Sequence, residues 1–350
     1  MNEQEFIART VREQLERSSP IVLISLWNLK GSTPRHEGSK MVVTGEGKAF
    51  GTIGGSLLEA MAVEKAREAL NSKQSEIFTF ELSGEDTDNP GMICGGKTEI
   101  LLDYLAPTGE NLAFARAWHE RISNGQDCFL LTCLHRNSKK VTVTSRAVVF
   151  GKSVTGDLPP GLELSRIIEE CRNITVSEVR SINSSEILLE PVRRIKTVYC
   201  FGAGHVAVPT VHIAAMVGFH VIVIDDRPEF ASAERFPEAR QVLVIDDFSH
   251  VMKDLPIDED SFIVIVTRGH QYDRVVLEQA LKTRAGYIGM ISSQKKRDAI
   301  YDALKKGGVP QEALDRVHSP IGIAIGGETP AEIAVSIVAE LIGVRSGKYS

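Results

Sequence analysis

The chain has 350 residues, 43% hydrophobic and 25% charged, with a net charge of −6. This is the balance of a globular protein of two or three domains; the charge offers nucleic acid no basic footprint, and no apolar run is long enough to span a bilayer. Five cysteines, at 94, 128, 133, 171 and 200, are odd in number and unclustered, which points to the cytoplasm and away from a disulfide scaffold, and no Cys-x-x-Cys or histidine pair argues for structural zinc.

Residues 1–20 are charged and amphipathic, unlike a signal peptide. Phe6, Ile7, Val11 and Leu15 share one face of a predicted helix over 3–17. A β-rich run over 21–29 leads into the first unusual stretch, Gly31-Ser-Thr-Pro-Arg35-His36-Glu37-Gly38-Ser39-Lys40-Met41. A strand over 41–44 and a turn at 45–47 precede the second, Phe50-Gly51-Thr52-Ile53-Gly54-Gly55-Ser56, which runs into a helix over 57–70 with Glu59 in its first turn. Bared N–H groups at such a helix start suit an anion. A strand over 76–82 and an acidic loop over 84–90 lead to the third, Gly91-Met92-Ile93-Cys94-Gly95-Gly96. Then come a strand over 98–105 and a helix over 112–122. The runs 128–134 and 141–150 read as a hairpin across a polar turn at 135–140. A helix over 162–171 and weaker strands at 174–179 and 187–192 complete the half. The domain boundary is expected in the polar stretch 180–196, giving domains 1–190 and 191–350.

The second half opens on its most informative segment. An apolar run over 198–201 enters Gly202-Ala203-Gly204-His205-Val206-Ala207, a helix follows over 205–217, and a second strand over 220–224 ends in Asp225 and Asp226. This is strand, glycine turn, helix, strand, acid. Gly202 permits the turn, Gly204 leaves the backbone open to a phosphate, and Asp225 stands where an acid takes ribose hydroxyls, which would favour NAD over NADP. The segment reads either as a dinucleotide site or as a Rossmann framework serving something else. Strands over 241–245, 261–266 and 286–291 alternate with helices over 273–283 and 293–305. A last helix over 331–342 has Thr329 as N-cap and Pro330 in its first position. The alternation predicts a doubly wound parallel sheet, an α/β fold.

Each glycine-rich stretch of the first half pairs open backbone with a functional side chain: Arg35, the hydroxyls of Thr52 and Ser56, and Cys94. Each is either a site for a polar, phosphate-bearing ligand or a turn and no more. Cys94 is either a small buried hydrophobe or a thiolate for a soft metal; the other four cysteines fall in core patterns. Thr267-Arg268-Gly269-His270-Gln271-Tyr272-Asp273 follows a strand at the edge where open sheets hold ligands. His270 and Asp273 either orient a ligand or serve as loop and cap. Lys295-Lys296-Arg297 reads as the solvated face of a capped helix.

Taken in order, GSTPRHEGSKM, GTIGGSLLEA, GMICGG, CFGAGHVA, TRGHQYD, GYIGMISSQKKR and SPIGIAIGGETPAEIAVSI resemble the XdhC/CoxI family of xanthine dehydrogenase accessory proteins. The resemblance runs from about Gly31 to Ile342, with no matching motif over 107–190. It implies an N-terminal α+β domain of XdhC type followed by a Rossmann-like domain. It also implies a factor that binds the molybdenum cofactor (molybdopterin), protects it while a cysteine desulfurase supplies its sulfido ligand, and passes it to xanthine dehydrogenase or a related molybdenum hydroxylase. By the same resemblance Cys94 is the expected molybdenum contact, and Arg35, Gly54, Gly55, Glu59, Gly95 and Gly96 are candidate site residues. Gly202, Gly204, His205, Asp225 and His270 are the candidates of the second half. A homodimer is expected because Rossmann-type domains commonly pair. The rival expectation is an NAD(P)-dependent oxidoreductase with His205 or His270 as proton donor.

Overall fold

The computed structural model describes residues 3–30, 38–81, 97–137, 140–172, 174–183 and 185–349. Arg35, Cys94, Gly95, Gly96 and the acidic loop 84–90 lie outside the described residues. Two compact units meet between Arg194 and Ile195.

The N-terminal unit contains α1 (Glu3–Glu16), β1 (Ile21–Lys30), β2 (Lys40–Thr44), β3 (Ala49–Gly51), α2 (Ser56–Ser72), β4 (Glu76–Glu81) and β5 (Lys97–Leu105). It continues with α3 (Gly109–Ser123), β6 (Cys128–Asn137), β7 (Lys140–Phe150), β8 (Ser153–Gly156), α4 (Leu164–Arg172), β9 (Glu178–Ile182) and β10 (Ser185–Val192). The strands form two antiparallel sheets, ordered β3-β2-β1-β5-β4 and β8-β7-β6-β10-β9. Alternation along the strands assigns the faces. Val22, Ile24, Ile100 and Leu102 pack under Leu58, Ala62 and Ala66 of α2, while Leu131, Ile187 and Leu189 pack under Ile167 and Cys171 of α4. Trp27, Leu101, Leu134 and Leu188 form a separate cluster that draws on both sheets. A buried ion pair between Asp103 of β5 and Arg146 of β7 ties the sheets together, with Arg146 Nε 2.7 Å from Asp103 Oδ2.

Two expectations shift here. The polar residues 135–137 and 140 extend the β6–β7 ladder, His135 opposite Thr142 and Asn137 opposite Lys140, because ladder bonds are made by the backbone whatever the residue type. The strand expected at 174–179 runs instead over β9, where Asn183 at φ 48° sets a tight reversal and pairs Ile182 with Ser185. The short edge strands β3 and β8 carry too few residues to show a period.

The second unit contains β11 (Thr197–Phe201), α5 (Ala207–Met216), β12 (His220–Asp225), β13 (Gln241–Val244), β14 (Ser261–Ile265) and α6 (His270–Ala280). After these come β15 (Tyr287–Met290), α7 (Gln294–Lys306), α8 (Gln311–Asp315), β16 (Val317–His318) and α9 (Pro330–Arg345). The sheet is ordered β13-β12-β11-β14-β15-β16 and every pairing is parallel. That is the strand order of the Rossmann fold, with its topological switch between β11 and β14. Both faces are covered: Val198, Cys200, Val221 and Val264 meet Val211 of α5 and Ile337 of α9, whereas Phe201, Ile263 and Ile265 meet Val276 of α6 and Ile300 of α7. A complete capping box starts α9, Thr329 accepting from Glu332 N while the Glu332 carboxylate accepts from Thr329 N at 2.9 Å. Among the described residues no helix is long and apolar enough to cross a membrane.

Candidate functional site

The first turn built for an anion lies between β3 and α2. Gly54 and Gly55 take φ of 135° and 76°, conformations that L side chains rarely adopt, and this turns successive N–H groups inward. The carboxylate they meet belongs to the chain itself. Glu59 Oε1 accepts from Ile53 N at 3.0 Å, Gly54 N at 3.3 Å and Gly55 N at 2.8 Å, and from the hydroxyl of Thr52. Partial burial pushes the Glu59 carboxyl up, but the bonds from Thr52, Gly55, Ile53 and Gly54 together outweigh it and hold the group below its ordinary range. The N–H groups expected to cradle a phosphate are engaged by Glu59, so an incoming anion would have to displace it.

The second turn repeats the device by another route. Gly202 sits at φ 114°, and a Cβ there would lie 2.4 Å from the carbonyl oxygen of Val266, which leaves β14 beside it. Gly204 has open space where a Cβ would project. Asp225, only 2% exposed, accepts from Ala203 N at 2.7 Å and Arg227 N at 3.0 Å. Arg227 also donates from Nε at 2.8 Å and Nη2 at 2.9 Å. Burial raises the Asp225 pKa; the Arg227 and Ala203 hydrogen bonds overcome this and hold it below the usual carboxylate range. Four donors fill the four lone-pair sites of a carboxylate. Asp225 therefore braces the turn and has no capacity left for ribose hydroxyls.

The neighbouring Asp226 is less fully bonded. Its Oδ2 accepts from Arg268 Nη2 at 2.7 Å, while its Oδ1 is buried without a hydrogen-bond partner. Because β12 and β14 flank β11, this ion pair crosses the carboxyl end of β11, where the glycine turn begins. The doubled acid at 225 and 226 and the stretch that holds Arg268 were both visible in the sequence; their pairing was not. His205 is exposed beside the turn, and His270 begins α6.

Asp273 is fully buried, bonded by the Thr267 hydroxyl at 2.5 Å and paired with Lys296 Nζ at 2.5 Å. Its Oδ2 meets Lys296 at ion-pair distance but outside hydrogen-bond geometry, so the contact is chiefly Coulombic. Lys296 is thus a tie between α6 and α7 and not part of a solvated face, although Ser293 does cap α7 by accepting from Lys296 N. Cys128, Cys171 and Cys200 are buried thiols pushed up to about 12 by desolvation, and burial also raises Cys133. Their core reading holds. Among the described residues no group of three or more His, Cys, Asp or Glu could hold a metal.

Two family profiles match the chain: the XdhC and CoxI family over residues 14–81, and the XdhC Rossmann domain over 198–341. An uncharacterized protein, YqeB of Escherichia coli K12, is 24% identical over 95% of this chain, which spans 44% of that relative's length. A Bacillus subtilis 168 protein named as a probable xanthine dehydrogenase subunit is 25% identical, with 95% of each chain covered. A molybdenum cofactor insertion chaperone, PaoD of E. coli K12, is 22% identical over 97% of this chain and 88% of its own. A crystal structure described as a xanthine dehydrogenase from Bacillus halodurans shares the fold, with a TM-score of 0.82 at 24% identity, covering 100% of this chain and 97% of that one. With profiles of this family matched in both units and in order, the chain belongs to the XdhC and CoxI family.

Proposed function

We propose that the protein is an accessory factor for a molybdenum hydroxylase, binding the molybdenum cofactor as cargo and delivering it to the apo-enzyme. The observation that carries this reading is similarity along nearly the whole chain to a relative named as a molybdenum cofactor insertion chaperone. The internal bracing of the Rossmann turn supports it, since a carboxylate bonded by four internal donors is a poor ribose acceptor. In this reading Cys94 contacts the molybdenum, and Arg35, Gly54, Gly55, Glu59, Gly95 and Gly96 belong to the cargo site. The client is xanthine dehydrogenase or a relative, a cysteine desulfurase supplies the sulfido ligand, and the factor works in the cytoplasm as a homodimer.

The decisive experiment is anaerobic binding of molybdenum cofactor to purified wild type and Cys94→Ser, following molybdenum and pterin through desalting. Near-stoichiometric retention by wild type and its loss in the variant support the reading. No retention by wild type overturns it. A second reading, NAD(P) at the Gly202 turn, is favoured by the strand order and the open space at Gly204. Calorimetric titration with NAD tests it, and Gly204→Val should abolish any affinity found.

A further inference from the structure

A cavity of about 330 Å³ lies within the N-terminal unit, walled by α1, α3, the start of β2 and the end of β10. Ile7, Trp118 and Val192 give it apolar walls, and Val176, 52% exposed, carries the lining out to solvent. An ion pair forms part of the wall: Lys40 and Glu190, 10% and 5% exposed, with Lys40 also donating to Ser25 Oγ at 2.7 Å. Only Glu190 Oε1 meets Lys40; Oε2 takes no hydrogen bond from a described residue. Trp118 Nε1 is sealed from solvent and likewise has no acceptor among the described residues.

A buried ion pair is a weak source of stability, because well-packed apolar residues do as well or better. One placed on the wall of an open cavity has the character of a recognition edge. We infer that this cavity is the pterin subsite, with Glu190 and Lys40 reading the ring's amino-oxo edge. The inference rests on the cofactor-binding reading above. A 2-amino-4-oxo pyrimidine ring presents two adjacent N–H donors and a carbonyl oxygen. A carboxylate accepts the donors side by side, an ammonium donates to the carbonyl, and the flat ring lies against Trp118 and Ile7. Guanine shares this edge, but the volume stands at the small end of ligand sites, roughly 300–1,000 Å³. It suits a bicyclic ring, with larger substituents left to the solvent-facing side at Val176. Lys40 also belongs to the GSTPRHEGSKM stretch, which links the cavity to the motif that includes Arg35.

Pterin-6-carboxylate, which lacks molybdenum and the dithiolene, is the probe, and its fluorescence polarisation is the readout on the full chain. Wild type is expected to bind one equivalent and Glu190→Gln at least tenfold more weakly. The double variant Lys40→Met/Glu190→Leu replaces the pair with apolar side chains, and circular dichroism checks that it folds; it should not bind. Equal affinity in wild type and the folded double variant overturns the inference, as does GMP binding as tightly as the pterin. Retention of intact molybdenum cofactor by a wild type that ignores the pterin probe overturns the cavity and leaves the chaperone reading standing. Failure of wild type to take up either one overturns both.

Discussion

The two glycine turns make an instructive pair. Each bares backbone N–H groups, and each closes on a carboxylate of the chain itself. At Ile53–Gly55 the carboxylate is Glu59, a few residues on in the first turn of α2, and all four donors meet one oxygen. At Gly202–Gly204 it is Asp225, from the neighbouring strand, buried, using both oxygens and itself gripped by Arg227. The first is a local clasp on a side chain with rotamers to spare; the second is a tertiary tie. A glycine turn announces an anion without saying whose, and the distance along the chain to the occupant decides how readily it lets go.

The tie should be the costlier to break. Gly202→Ala places a Cβ against the Val266 carbonyl at a φ alanine rarely adopts, so a loss of about 4 kcal/mol is expected in urea unfolding. Asp225→Asn leaves Arg227 facing a neutral group and should cost about 3 kcal/mol. A loss under about 1 kcal/mol for Asp225→Asn would remove the distinction between tie and clasp.

Glu59→Gln should cost less, about 1.5 kcal/mol, since it weakens charged hydrogen bonds in a partly exposed setting. Glu59→Ala, by emptying the nest, should let orthophosphate stabilise the variant where it does not stabilise wild type, read as a rise in Tm. Both carboxyls are held below their ordinary values of 4.5 for Glu59 and 3.8 for Asp225. A depressed carboxyl contributes stability that is full above its unfolded pKa and is lost as pH falls through the folded one. The gap between wild type and Glu59→Gln should therefore be flat near neutrality and narrow below about pH 4.5, and that for Asp225→Asn should narrow only further down. Gaps that widen on acidification would contradict the assigned directions.

The sequence made the framework legible where local signals agree. Strand, glycine turn, helix and strand over 197–225 fall where periodicity puts them, and Thr329-Pro330 marks the start of α9. The occupants of the turns were less visible. Glu59 in a first helical turn reads as a candidate site residue, and only the positive φ of Gly54 and Gly55 wraps the backbone around it. Asp225 reads as a ribose acid until the Arg227 side chain is seen folded back on it. The Lys40–Glu190 pair was beyond reach, because its members lie 150 residues apart and meet only once both sheets have formed.

The smallest expected effect separates the two turns most finely. Thr52 donates its hydroxyl to Glu59, accepts a long bond from Gly54 N at 3.3 Å, and belongs to neither the helix nor the sheet core, so Thr52→Val removes the charged bond and this weak one and keeps the side chain's shape. The expected loss is about 1 kcal/mol, most of it from the hydrogen bond to the charged group in partly solvated surroundings. In a double-mutant cycle with Glu59→Gln the two losses should couple, because they share that bond. With Asp225→Asn, in the other unit, they should add. Coupling between Thr52 and Asp225 would show that the turns do not act separately, and the contrast between clasp and tie would fail at its root.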